Sequence, residues 1–160
     1  LIHAFVTTRI DYCNSLLYGL PQFLIDKLQR VHNTAARLVT NSHKFCHITP
    51  VLRDLHWLPV KFRIDFKILL LTFKCLHNSA PSYLRDLIKV RPKSKYELRS
   101  NEAVLLKPLK SKTSVTLGGR AFQSAAPVLW NNLPLALRKI DSLTTFKSAL
   151  KSYLFKLAFK

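Results

Sequence analysis

Apolar residues recur at Leu24, Leu28, Val31, Ala35 and Leu38, with spacings of 4, 3, 4 and 3. At about 100° per residue these positions fall in a stripe roughly 80° wide, which predicts an amphipathic helix with Lys27, Arg30 and Arg37 along one flank. Ahead of it, residues 1–18 hold neither Gly nor Pro until Gly19 and Pro21, so a first helix ending near Tyr18 is expected. Residues 41–48 are polar and His-rich, a loop by composition. Thr49 then supplies a capping residue and Pro50 a proline at the first helical position, opening a short helix to about His56.

The next stretch reads two ways. Lys61 to Ile68 alternates charge and bulk as a strand would, but residues 60–77 run without Gly or Pro, and that length decides for a helix. On a helical wheel, Phe62, Phe66, Leu69, Leu70, Phe73 and Leu76 gather on one face, and Val60, Ile64, Ile68, Leu71 and Cys75 on nearly the opposite one. Two polar seams separate these faces, Arg63/Asp65/Lys74 and Lys61/Lys67/Thr72. A helix with two apolar faces is sandwiched between neighbours, so 60–77 is expected to be the central buried helix.

Beyond it, Pro81 to about Lys89 restarts as a short helix. Ala103–Lys107 and Ser114–Leu117, flanking Lys110–Ser111–Lys112, are expected to pair as a small β-hairpin over about 103–117. Gly118–Gly119 is a break, after which a helix from Arg120 to about Asn131 tolerates Pro127 only with a kink or an early start. Asp141 or Ser142 caps a last helix whose stripe is Leu143, Phe146, Leu150, Tyr153, Leu154 and Leu157. The expected fold class is mainly α. It divides into a helical region over 1–90, a basic linker with the hairpin over 91–117, and a C-terminal helical segment over 118–160 packed on the first as one compact unit.

Composition adds the chemistry expected of the surface. A 160-residue chain that is 48% hydrophobic is a folded domain and not a disordered basic tail. Lys and Arg number 26 against 8 acids, so the expected partners are polyanions, with nucleic acid first and an anionic membrane second. Residues 1–80 hold 10 basic and 4 acidic side chains and residues 81–160 hold 16 and 4, which makes the second half the expected contact surface. Cys13, Cys46 and Cys75 are odd in number and lack a paired spacing, so they describe no disulfide framework and read as core thiols in a reducing, intracellular compartment. No secretory signal is legible, because Arg9 and Asp11 interrupt the apolar N-terminus, and no membrane span, because the longest uncharged run, 121–137, contains Gln123, Pro127, Asn131, Asn132 and Pro134. The chain holds no Met and begins at Leu1, as an excerpt of a longer reading frame would.

Catalytic constellations are not evident. The acids stand at 11, 26, 54, 65, 86, 97, 102 and 141, each isolated, whereas two-metal phosphoryl chemistry needs converging carboxylates. His43, Cys46, His47 and His56 fit zinc spacing only loosely, and they read as loop histidines with no metal and no cofactor. Leu117-Gly118-Gly119-Arg120 either exposes amides to a phosphate or is a turn into the following helix. What remains is charge. Lys89, Arg91, Lys93 and Lys95 alternate around Pro92, which favours extended backbone and sends all four to one side. With Arg99, Lys107, Lys110, Lys112 and Arg120 they are the candidate phosphate-binding residues, among which Tyr96 either stacks on an unpaired base or packs inward.

Four blocks carry a resemblance: LQRVHNTAARLVT (28–40), HITPVLRDLHWLPVKFRIDFKILLLTFKCLHNSAPSYLRDLI (47–88), GGRAFQSAAPVLWNNLPLALR (118–138) and FKSALKSYLF (146–155). Together with LIHAFVTTRIDYCNSLLYGLP at the N-terminus, they resemble the thumb and post-thumb region of LINE-type, Jockey-like non-LTR retrotransposon reverse transcriptases. The resemblance implies a parent polyprotein that is an RNA-directed DNA polymerase with an endonuclease. Its aromatic-x-Asp-Asp signature has no counterpart here, since the chain contains no Asp-Asp pair. Gly118-Gly119-Arg120 departs from the Gly-Asp-Arg common in relatives. The resemblance therefore implies a chain that is not itself an enzyme. It would bind RNA and DNA phosphates during target-primed reverse transcription, contact the upstream polymerase domain of the same polyprotein, and work in nucleus and cytoplasm away from membranes. The alternatives are a structural module packed on the polymerase palm, with the two-faced helix 60–77 needing that cover, or a degenerate retrotransposon relic.

Overall fold

Helices carry the architecture in the computed structural model, which describes residues 2–92, 104–108 and 118–160. They are α1 (Thr8–Asp11), α2 (Gln22–Thr40), α3 (Ile48–Asp54), α4 (Val60–Leu76), α5 (Ser82–Arg85), α6 (Phe122–Asn131), α7 (Leu135–Arg138) and α8 (Leu143–Ala158). Among the described residues no sheet forms, and extended pairing is limited to an antiparallel bridge between Val90 and Leu106. The chain is thus mainly α, as its periodicity predicts. It clusters into two units, Leu1–Phe66 with Lys151–Lys160, and Lys67–Leu150. Helices α4 and α8 each contribute to both.

In the first unit, the helix expected over 1–18 is broken. A π-helical turn over His3–Thr7 leads into α1, and Cys13 then adopts a left-handed conformation with φ 51°, followed by a 3-10 turn over Asn14–Leu17. Tyr12 already leaves the helical region, with φ −68° and ψ 118°, so α1 ends ahead of Cys13, whose left-handed backbone could not continue a right-handed helix either. Asp11 ends α1 and meets Arg63 of α4, whose Nη1 donates to both carboxylate oxygens at 2.8 and 3.1 Å. Arg63 Nε donates to the Leu58 carbonyl at 2.8 Å, so the largely buried guanidinium is paired on two sides.

Helix α2 does not bury the stripe its spacing suggests. Ile25, His32, Ala35 and Ala36 are buried, Leu24 and Leu28 are half-buried, and Val31 and Leu38 are 53% and 66% exposed. The covered face is therefore turned by roughly 80° from the expected one, at about 100° per residue. The reason lies in what packs there: Trp57 sits against His32 with ring centroids 5.1 Å apart, and the Gln29 carboxamide oxygen accepts from the Val60 amide at 2.8 Å. That bond satisfies an amide of the first turn of α4, which no residue within its own helix can do.

Helix α3 begins at Ile48, flanked by His47, so Thr49 and Pro50 lie inside its first turn and not at its entrance. Pro50 costs nothing there, because first-turn amides have no intrahelical acceptor. Arg53 of α3 closes the end of α8: its Nη2 donates to the Phe159 carbonyl at 2.9 Å, with the guanidinium 5.7 Å from that ring. Beside it, His56 stacks on Phe155 at 5.4 Å.

The second unit is built on aromatic packing. Phe73 of α4 stacks on Phe146 of α8 with centroids 4.3 Å apart, and Trp130 of α6 lies 5.8 Å from the same Phe146 ring. Ile68, Leu69 and Leu150 complete this buried set. The expected double-faced character of 60–76 holds: Val60, Ile64, Ile68 and Cys75 are buried on one face and Leu69 and Phe73 on the other. Thr72, expected in a polar seam, is fully buried; its hydroxyl donates to the Ile68 carbonyl at 2.8 Å, which removes the cost of burying it. Pro127 lies buried inside α6, where its missing N–H leaves only the Gln123 carbonyl without its helical donor. The deep stripe of α8 is Phe146, Leu150 and Leu154, and the ends of the expected stripe, Leu143 and Leu157, are exposed.

The cysteines divide. Cys75 is buried, and burial raises its thiol pKa, whereas Cys13 and Cys46 are exposed. They are not core thiols: one occupies the left-handed turn after α1 and the other the loop between α2 and α3.

Candidate nucleic-acid interface

The candidate interface is built from the end of α6. Trp130, which is 1% exposed, donates from its indole Nε1 to the Val104 carbonyl at 2.9 Å. The next side chain, Asn131, uses both ends of its carboxamide on one residue. Its Nδ2 donates to the Leu106 carbonyl and its Oδ1 accepts from the Leu106 amide, each at 2.9 Å. The carboxamide thus stands in for the peptide group of a neighbouring strand. Leu106 is pinned on that edge and its side chain is fully buried.

The other edge pairs with 89–91. Arg91 N donates to the Leu105 carbonyl and Lys107 N to the Lys89 carbonyl, both at 2.8 Å. Residues opposite one another in an antiparallel pair point to the same face, and neighbours along a strand to opposite faces. Leu106 is turned inward, although Val90 opposite it is 53% exposed, and Lys89, Arg91 and Lys107 stand on the other face, all three exposed. Lys89 and Lys107 are direct cross-strand partners, a like-charge pair that costs stability unless an anion lies between them. Among the described residues no acid pairs with any of the three, since Arg63–Asp11 is the ion pair formed there. This pairing can therefore offer a phosphate ammonium and guanidinium donors from a hydrogen-bonded backbone, the contact that sequence-independent binding to RNA or DNA uses.

Three of the sequence-predicted residues come together here: Lys89, Arg91 and Lys107. Arg120 does not join them. It lies half-buried in the 3-10 turn Gly118–Arg120 at the opposite end of α6 from Asn131, roughly 15 Å away at 1.5 Å of rise per residue. Lys93, Lys95, Arg99, Lys110 and Lys112 lie outside the described residues, as do Tyr96 and the 114–117 arm of the expected hairpin. Within the described part, residues 105–107 pair with 89–91. Trp130 and Asn131 carry no charge and were not among the expected site residues; their one signal is a polar Trp-Asn-Asn step ending an apolar helix.

The glycine step before α6 is a turn. Neither Gly118 nor Gly119 has a left-handed φ, and an added Cβ at either meets nothing within 4 Å among the described residues. The Ser124 hydroxyl donates to the Gly118 carbonyl at 2.9 Å, which ties the turn to the helix it precedes. Among the described residues no group of three His, Cys, Asp or Glu side chains is placed to hold a metal ion. His43 instead lies 5.2 Å from the Phe45 ring, and His56 packs on Phe155. No helix among the described residues is long and apolar enough to cross a membrane. Comparison of the chain with protein-family models, with curated proteins and with solved structures finds no match.

Proposed function

We propose that this chain is the nucleic-acid-holding, thumb and post-thumb part of a LINE-type non-LTR retrotransposon reverse transcriptase. In this reading it grips RNA and DNA through their phosphates during target-primed reverse transcription, in nucleus and cytoplasm, with no catalytic site of its own and with the upstream polymerase domain as its neighbour. The observation that carries the reading is the ribbon. Asn131 holds Leu106 by both backbone groups, and the ribbon so fixed turns Lys89, Arg91 and Lys107 outward with no acidic partner among the described residues. The sequence blocks quoted above and the net charge of +18 point the same way.

The test is the salt dependence of binding to a labelled RNA and to a labelled DNA duplex. Each phosphate contact contributes a slope of about 0.7 to 0.9 in log K against log salt, so reversing Lys89, Arg91 and Lys107 to Glu should flatten the slope by roughly 2 to 3. Binding that ignores salt, or a triple variant with the parent's slope, refutes the reading.

A further inference from the structure

Helix α2 leaves part of its expected apolar stripe uncovered: Val31 and Leu38 are exposed, Leu24 and Leu28 are half-buried, and Ala35 lies buried at the border with the covered side. Leu24, Leu28, Val31, Ala35 and Leu38 alternate at spacings of 4 and 3, the repeat of a coiled-coil seam, while the side of the helix bearing Ile25, His32 and Ala36 is buried. The seam is shaped as well as apolar. Val31 and Leu38 project, at 53% and 66% exposure, and between them lie the small residues Thr34 and Ala35, the latter 3% exposed. Those four positions are the ones that make the hole receiving a knob from a facing helix, and Leu24, Lys27, Leu28 and Val31 repeat the arrangement one heptad earlier.

The charge beside the seam selects the occupant. Lys27 and Arg30 are exposed on its open flank, and Arg37 follows them, its Nη2 donating to the Cys46 carbonyl at 3.2 Å. A second copy of the chain would set these cations against their own kind, on molecules of charge +18. A nucleic acid answers the cations and leaves Val31 and Leu38 uncovered, since aliphatic side chains give a base nothing to stack on. We propose that this seam docks an amphipathic helix of a partner protein whose apolar stripe is flanked by Asp or Glu. This surface belongs to the first unit and the basic ribbon to the second, and they share no residue, so the inference does not depend on the nucleic-acid reading.

The experiment titrates the full chain into a labelled synthetic helix of about three heptads, with Leu at the seam positions and Glu beside them, and into a counterpart with Lys for Glu. The acidic helix is expected to bind at least about tenfold more tightly than the basic one. Replacing Val31 and Leu38 together by Asn, both exposed and so at small cost to the fold, is expected to weaken it by about tenfold or more, and charge reversal of Lys27 and Arg30 together to narrow the charge preference. Charge reversal of Lys89, Arg91 and Lys107 should leave this affinity unchanged while altering RNA binding. Equal affinity for the two helices, or none for the acidic one, overturns the proposal. So does a double Asn variant that binds like the parent, tighter capture of a peptide copying residues 22–40, or a loss in that variant of binding to single-stranded RNA or anionic vesicles in place of the acidic helix.

Discussion

A buried group and a half-buried one in the first unit should pull stability in opposite directions across the same pH range. His32 is fully buried and neither ring nitrogen has a hydrogen-bond partner among the described residues; burial, aided by the nearby Arg63 charge, lowers its pKa from 6.5 to about 4. Asp65 is raised from 3.8 to about 6 by burial, with Lys61 opposing. For His32 the unfolded chain binds the proton first, so stability is full above pH 6.5 and is lost as pH falls toward 4. At about 1.4 kcal/mol per pKa unit the loss is roughly 3 kcal/mol. For Asp65 the folded chain binds the proton first, so stability is full below about pH 4 and is lost as pH rises through 6, again by roughly 3 kcal/mol. The two nearly cancel, and their sum should change little between pH 7 and 4.

Single substitutions uncouple them. Asp65→Asn keeps a neutral side chain in place at every pH. Relative to the parent it should be more stable at pH 7 by about 3 kcal/mol and lose that advantage by pH 4. His32→Gln should show the opposite slope, gaining on the parent as pH falls. Urea unfolding of the full chain at half-unit pH steps, followed by circular dichroism, gives the curves, with unchanged m-values confirming that the same surface is exposed. If the Asp65→Asn curve runs parallel to the parent's from pH 7 to 4, the assignment of Asp65 as a carboxyl protonated by burial is wrong, and the same holds for His32 if its variant is parallel.

Three further outcomes follow from the packing. Asn131→Ala strips the Leu106 amide and carbonyl of their shared partner, and should cost about 2 to 4 kcal/mol in urea unfolding while weakening RNA binding beyond what the loss of stability explains. Gly119→Ala should be stabilising by about 0.4 to 1 kcal/mol, because the site has a backbone that Ala adopts and open space for its Cβ; a loss measured by thermal unfolding would show that Gly is required there. A thiol reagent should modify Cys13 and Cys46 at once in the native chain and Cys75 only on unfolding, so three equally fast thiols would contradict the buried position in α4.

Much of this was legible in the sequence where one local rule acted alone. The length and two apolar faces of 60–77 fixed a buried central helix, since no strand runs so far unbroken and no surface helix is apolar all round. Phe146, Leu150 and Leu154 were placed by the same periodicity, and the alternation at 89–91 foretold a basic extended segment. Tertiary structure decided the rest. Which side of α2 is covered depended on where Trp57 and the start of α4 lie, and these turned His32 inward and Val31 and Leu38 outward although the stripe favoured the reverse. The helix expected over 1–18 broke at Tyr12 and Cys13, whose extended and left-handed backbones no composition reveals. The ribbon's second edge is a side chain, Asn131, that lies 25 residues along the chain from Leu106. A carboxamide acting as a strand obeys no periodicity, so only the folded chain can show that this neutral residue holds the charged ones in place.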